Sequence, residues 1–347
     1  MFDAHVHYAK SHGDEALEAI LKENGASRVA LQCIPQMDTL PTTPDALRFK
    51  RRHPDSCYVL GELSRLAYIR FQRDEAALSD SLLTQAKRLM DAGCDGIKML
   101  EGKPDIRRKF PIPDFDSAAW APFWAYAEKE GIPLTLHLND PPEFWDKSRM
   151  NPYAIKEGWF YGPDCVSNQA QYDQMARVFS RHPGLHMQLA HFYFRYDDLP
   201  GLAGMLTAHP NLRLDLTPGI EMYYSLSAQA EAARAFFARF ATRILFGSDT
   251  GSRAAIARPP RAIDPLESSA RVRVIRQALE TTGPYTLKPD GRYLFNIPER
   301  ALMGLGLSKD LLQHVYRENA LAYFGAHPSP VPAGAEEQLE KYFQRFS

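Results

Sequence analysis

Two histidines, His5 and His7, stand one residue apart at the end of the opening run Met1-Phe2-Asp3-Ala4-His5-Val6-His7. Side chains two positions apart on a β-strand leave the same face, so both imidazoles can aim at one point. Neutral imidazoles converging in this way are a common means of holding zinc or a similar divalent ion. His-x-His by itself is a weak signal. It gains weight because three later runs end alike: Pro133-Leu134-Thr135-Leu136-His137, Met187-Gln188-Leu189-Ala190-His191 and Ile244-Leu245-Phe246-Gly247-Ser248-Asp249. Each is an apolar stretch finishing in His or Asp.

The elements that must position these residues follow from the hydrophobic pattern. Eight short apolar runs, at 2–7, 28–33, 57–63, 96–100, 132–138, 186–192, 212–217 and 244–249, alternate with longer segments. Those at 15–24, 78–92, 120–130, 169–181 and 228–240 carry apolar residues three and four apart, the helical period. Eight strand–helix units predict a parallel sheet closed as a (β/α)₈ TIM barrel. An open doubly wound sheet would usually carry a glycine-rich turn after its first strand; His5-Val6-His7 takes that place. In a closed barrel all strand ends meet at one face, which brings His5, His7, His137, His191 and Asp249 to one site.

Three turns, Arg51-Arg52-His53-Pro54, Arg181-His182-Pro183 and Ala208-His209-Pro210, close helical segments and lead into strands. Proline stops a helix and a cationic last turn suits its dipole, so His53, His182 and His209 read as structural residues of the opposite face. Two connections are long, after strands 5 and 8. Residues 139–168 are rich in proline and aromatics. Residues 251–298 carry Arg253, Arg258 and Arg261, a helix at 264–282 and the turn-like Lys288-Pro289-Asp290-Gly291. Both leave the face where barrel enzymes build substrate lids, or they serve a subunit contact. Asp140, Tyr193, Arg195, Glu221, Tyr223 and Arg253 follow closely after strand ends. A planar guanidinium suits a carboxylate, which makes Arg195 and Arg253 substrate-binding candidates. Taken singly, each of them reads first as a solvated loop residue. Residues 308–324 predict a closing helix capped by Ser308 and ended by Gly325. Residues 326–347 form a tail whose helix docks on the barrel or on a partner.

With 347 residues, 45% hydrophobic, there is ample material for one barrel domain over 1–325. A net charge of −1 points to neither nucleic acid nor an anionic membrane. No apolar run approaches the ~20 residues of a membrane span. No basic-then-apolar leader is visible at the N-terminus. Cys33, Cys57, Cys94 and Cys165 form no Cys-x-x-Cys pair and read as reduced thiols of a cytoplasmic protein.

As a set, His5-x-His7, His137, His191 and Asp249 at the ends of strands 1, 5, 6 and 8 resemble the amidohydrolase superfamily, over nearly the whole chain to about Gly325. The segment Glu318-Asn319-Ala320-Leu321-Ala322-Tyr323-Phe324-Gly325 is similar to the usual ending of the branch that contains aminocarboxymuconate-semialdehyde decarboxylase-like enzymes. The resemblance implies that His5, His7, His137 and Asp249 hold one divalent metal, zinc or alternatively Mn²⁺, which activates water. Asp249 binds the metal or takes the proton of that water. His191 acts as acid/base, or as ligand of a second ion in a two-metal site. Two-metal relatives often bridge their ions with a carbamylated lysine or a glutamate on strand 4. Lys98 and Glu101 are the candidates here, but their odd spacing keeps both from facing inward on a regular strand. Lys98 reads equally as a substrate-binding cation, and one metal is the first expectation.

The resulting expectation is a cytoplasmic, homo-oligomeric metal-dependent hydrolase attacking an amide, lactone or ester of a small-molecule substrate. The alternative is a non-oxidative decarboxylase using the same ligands. A third reading is a barrel that only binds a ligand.

Overall fold

The computed structural model describes residues 1–288 and 299–346. Eight parallel strands run in chain order: β1 Phe2–Val6, β2 Arg28–Gln32, β3 Cys57–Glu62, β4 Gly96–Gly102, β5 Leu134–Leu138, β6 Met187–Leu189, β7 Leu212–Asp215 and β8 Ile244–Leu245. Helices lie between them, which makes the (β/α)₈ barrel. β8 is shorter than the expected 244–249, yet the ring closes through the residues that follow it. Ala4 N donates to Phe246 O at 2.9 Å, Asp249 N to His5 O at 2.8 Å and His7 N to Thr250 O at 2.8 Å. This seam sets His5, His7 and Asp249 side by side along one ladder.

The opposite end of the barrel is plugged from inside the chain. Phe2, Ala4, Ala30, Tyr58, Leu60 and Leu245 form an apolar cluster with Tyr323 and Phe324 of the helix Asn319–Phe324. Tyr323 Oη donates to Leu134 O at 2.7 Å and His186 O at 3.1 Å, the starts of β5 and β6. The predicted closing helix at 308–324 is three pieces: Lys309–Gln313, a π-helical turn His314–Glu318, and Asn319–Phe324. Ser308 caps it through Leu311 N, and Gly325 ends it at φ 93°. The tail helix Ala335–Phe343 lies on helices Thr43–Arg52 and Glu75–Asp91, through Arg51–Glu336 at 2.7 Å, Arg48–Glu340 at 2.8 Å and Arg88 over the Tyr342 ring.

The histidines of the three helix-ending turns lie where the proline pattern puts them. His53 pairs with Glu18 at 2.9 Å, His182 with Glu128 at 2.8 Å, and His209 ends the helix Leu199–Ala208. The loop after β5 folds on its own aromatics, with Phe144, Met150 and Tyr161 buried. After β8 come the helices Ser252–Ile256 and Pro265–Glu280, the second capped by Asp264, then the hairpin β9 Thr282–Leu287 with β10 Arg300–Leu305. The expected turn at Pro289-Asp290-Gly291 lies outside the described residues. No helix among the described residues is long and apolar enough to cross a membrane.

Candidate metal centre

His5 and His7 are buried at the mouth of the barrel, and each is held by its Nδ1. His5 Nδ1 lies 2.7 Å from Asp215 Oδ2, and His7 Nδ1 lies 2.9 Å from the backbone carbonyl of Gln32. A carbonyl only accepts, so Nδ1 of His7 carries the proton and Nε2 presents a lone pair. That lone pair faces Asp249 Oδ1 at 3.2 Å, and His5 Nε2 lies 3.9 Å from the same oxygen. Two acceptors facing each other at such a distance need a positive charge between them. Burial lowers the pKa of His7 and takes His5 down to about 4, which disfavours a proton there. One ligand atom from each of His5, His7 and Asp249 lies within 4.8 Å of the others. This donor set fits a divalent cation with further positions open, and the Nδ1 partners are the usual outer anchors of metal-binding histidines.

Asp215 was missed in the sequence, although it is the hub of the site. Its Oδ2 meets His5 Nδ1 and accepts from Gln188 Nε2 at 2.7 Å; its Oδ1 accepts from His191 N at 2.8 Å, from Thr217 N at 3.1 Å and from the Thr217 hydroxyl. Burial works against its charge, but His5, His191 and Thr217 hold the carboxyl below the usual range. The available signal was a lone acid alternating with Leu212, Leu214 and Leu216 in a buried strand.

The structure brings three of the expected quartet into one cluster. His137 reaches the site, its ring 4.8 Å from that of His191, but its Nε2 faces Asp140 Oδ1 at 3.3 Å. It lies outside the three-ligand cluster. The cause is Asn139, whose φ of 70° folds the chain back so that Asp140 meets His137, Lys103 and Tyr161.

His191 sits 6.0 Å from His5, ring to ring, with its Nδ1 3.2 Å from Thr217 O. It follows β6 not as a strand residue but in a left-handed turn: His191, Phe192, Tyr193 and Phe194 all have φ between 52° and 59°. Each such residue costs about 1–2 kcal/mol. Burial of the three aromatic rings offsets this, and Phe194 stacks on His191 at 4.9 Å.

On β4, Lys98 Nζ lies 3.2 Å from His5 Nε2, and burial lowers its pKa to about 8. Glu101 is not brought in: it is buried beside Arg65 and Tyr68. Among the described residues, no second group of three ligands forms for a second ion.

The other candidate substrate contacts lie among partners within the chain. Arg195 pairs with Asp198 and covers the Tyr172 ring, Tyr193 packs on Tyr172 at 5.0 Å, and Glu221 accepts from Asn151 at 2.8 Å. Tyr223 donates to Leu216 O at 2.7 Å. Arg253 lies on the short helix Ser252–Ile256 and is half-buried.

Residues 73–326 match the family model described as Amidohydrolase (Amidohydro_2). The chain belongs to the amidohydrolase family. Solved structures agree on the fold of this amidohydrolase. A zinc-bound amidohydrolase from Burkholderia multivorans is 13% identical, covering 94% of this chain and 99% of its own, with a TM-score of 0.51. The 2,6-dihydroxybenzoate decarboxylase from Rhizobium is 16% identical, covering 93% and 98%, TM-score 0.51. The IDCase of Metarhizium anisopliae is 13% identical, covering 90% and 78%, TM-score 0.52. No functionally curated protein matches the chain of this amidohydrolase enzyme.

Proposed function

We propose that this amidohydrolase uses one divalent cation, zinc or alternatively Mn²⁺, held by His5, His7 and Asp249, to hydrolyse an amide, lactone or ester. The observation that carries this is the convergence of His5 Nε2, His7 Nε2 and Asp249 Oδ1 within 4.8 Å of one another, with the Lys98 ammonium alongside at 3.2 Å from His5 Nε2. When bound, such a cation polarises a carbonyl and lowers the pKa of water from ~15.7 toward ~7. The zinc of the Burkholderia protein supports the choice of metal. His191 handles the proton: with Nδ1 turned to Thr217 O, its Nε2 is the accepting atom. Asp215 keeps His5 in the tautomer that presents Nε2. Phe194 shields one face of His191 from water.

Non-oxidative decarboxylation is the second reading, favoured by Lys98. A buried ammonium 3.2 Å from His5 Nε2 is a counter-ion for a substrate carboxylate. The Rhizobium decarboxylase supports it. Incubating the zinc- or manganese-loaded protein with panels of lactones, amides, esters and aromatic carboxylic acids separates the two. Acid release without carbon dioxide supports hydrolysis; carbon dioxide release supports decarboxylation; turnover of none overturns both.

The same proposal makes the enzyme cytoplasmic and homo-oligomeric, a dimer or higher, acting on a small molecule and on neither nucleic acid nor membrane. Residues 1–325 are the catalytic unit in this reading, and 326–347 brace it.

A further inference from the structure

The carboxylate of Asp249 divides its two oxygens between different neighbours. Oδ1 faces His7 Nε2 at 3.2 Å and His5 Nε2 at 3.9 Å. Oδ2 accepts from Arg271 Nη1 at 2.7 Å and from Ser252 Oγ at 2.7 Å. Arg271 belongs to the helix Pro265–Glu280 and is buried. It is fixed from its other side by Glu267, one turn earlier, whose Oε1 accepts from Nε at 3.0 Å and Nη2 at 2.9 Å. Glu267 sits in the first turn of that helix, where Asp264 caps Leu266 N and Glu267 N. A rigid chain of contacts therefore runs from a helix start, through a guanidinium, to one oxygen of Asp249.

Asp249 needs such a chain. Its backbone is left-handed, at φ 59°, a conformation uncommon outside glycine that Asp adopts more readily than most, and a carboxylate can turn about its terminal bond. One guanidinium N–H, from Nη1, and the serine hydroxyl restrain that freedom. They also occupy the oxygen through which the carboxylate would otherwise contact the cation bidentately.

We infer that Arg271 is a positioning residue: by binding Oδ2 it holds Asp249 as a one-oxygen ligand through Oδ1, and so sets the affinity of the cation site. The inference rests on the cation-dependent reading above.

The test is Zn²⁺ affinity, measured on metal-free protein by competition with a chromophoric chelator. The set is wild type, R271M, R271K, D249N and D249N/R271M. Loss of an outer partner of a metal ligand costs about 10–100-fold in affinity, and that is the fall expected for R271M. R271K keeps the charge but not the paired Nε and Nη2 contacts by which Glu267 fixes the side chain, and should fall less. In the D249N background the same Arg271 change should add no further loss, because its effect passes through the carboxylate. Unchanged affinity in folded R271M overturns the inference. So does an equal fall in both backgrounds, the signature of a general structural effect. R271K carries the same comparison if R271M does not fold. A wild-type protein that takes up neither Zn²⁺ nor Mn²⁺ overturns the cation-dependent reading itself, and this inference with it. That result is distinguished by appearing before any variant is compared.

Discussion

His5 Nδ1 and Asp215 Oδ2 are 2.7 Å apart, both side chains buried, joining the first strand of the barrel to the seventh. The carboxylate holds the proton of His5 on Nδ1, so Nε2 presents its lone pair to the site, where Lys98 Nζ lies 3.2 Å away. The other Asp215 oxygen takes the backbone N–H of His191. One residue thus sets the ligand and the acid/base group relative to each other.

Replacing Asp215 with Asn should therefore act at a distance. The amide offers its NH₂ group where His5 now donates or where Thr217 and His191 donate. Metal affinity should fall about 10–100-fold, the usual cost of losing such a partner. Metal content after dialysis against buffered zinc measures it. Full occupancy with wild-type turnover would contradict the role given to Asp215.

Chelation should abolish turnover, and added Zn²⁺ or Mn²⁺ should restore it. Elemental analysis of the restored protein should find about one ion per chain, because a single three-ligand cluster exists among the described residues. Activity that survives exhaustive chelation, in protein free of metal, would count against the proposal.

His191→Asn should leave zinc binding within a few-fold of wild type and reduce kcat by about 10²–10⁴, the range for loss of a general acid or base. Equal losses in metal content and turnover would instead make His191 a ligand.

Acid should destabilise the metal-free protein in a defined window. Burial holds the imidazoles of His5 and His12 at about 4, against ~6.5 in an unfolded chain. Between those values the unfolded state binds more protons, so stability rises with pH. The stabilisation is fully present above about 6.5 and is lost as pH falls toward 4. Thermal melts across that range should show a falling Tm, with a smaller fall in a folded His12→Asn variant. A Tm independent of pH over the window would show these histidines to be accessible.

Gly251→Ala should damage the seam. Gly251 has φ 84°, and an added Cβ would lie 2.5 Å from His7 O. The left-handed conformation alone costs about 1–2 kcal/mol, and the clash pushes on the strand that carries both histidines. Denaturant unfolding should show at least that loss, together with weaker metal binding.

Much of this was legible in the chain. Short apolar runs alternating with segments of helical period define the barrel, and His or Asp at the ends of β1, β5, β6 and β8 marks its working face. Other details were not legible, for specific causes. The backbone turn at Asn139 sets the Nε2 of His137, an expected ligand, against Asp140. Arg195, a substrate-binding candidate, pairs here with Asp198, three residues on. β6 was expected to run to 192, but the chain leaves it at Ala190 for four left-handed residues, none of them glycine. No propensity rule predicts that turn, because packing of the rings of Phe192, Tyr193 and Phe194 sustains it.

The sequence by itself determined which elements form and which residue types stand at their ends, since both follow from local periodicity and strand geometry. Only the tertiary structure decided how the donor atoms are used. Which nitrogen of His5 is free depends on Asp215, 210 positions away, and which oxygen of Asp249 is free depends on Arg271. Hydrogen bonds of this kind are set by side chains meeting across the closed ring, and no local pattern in the chain encodes them.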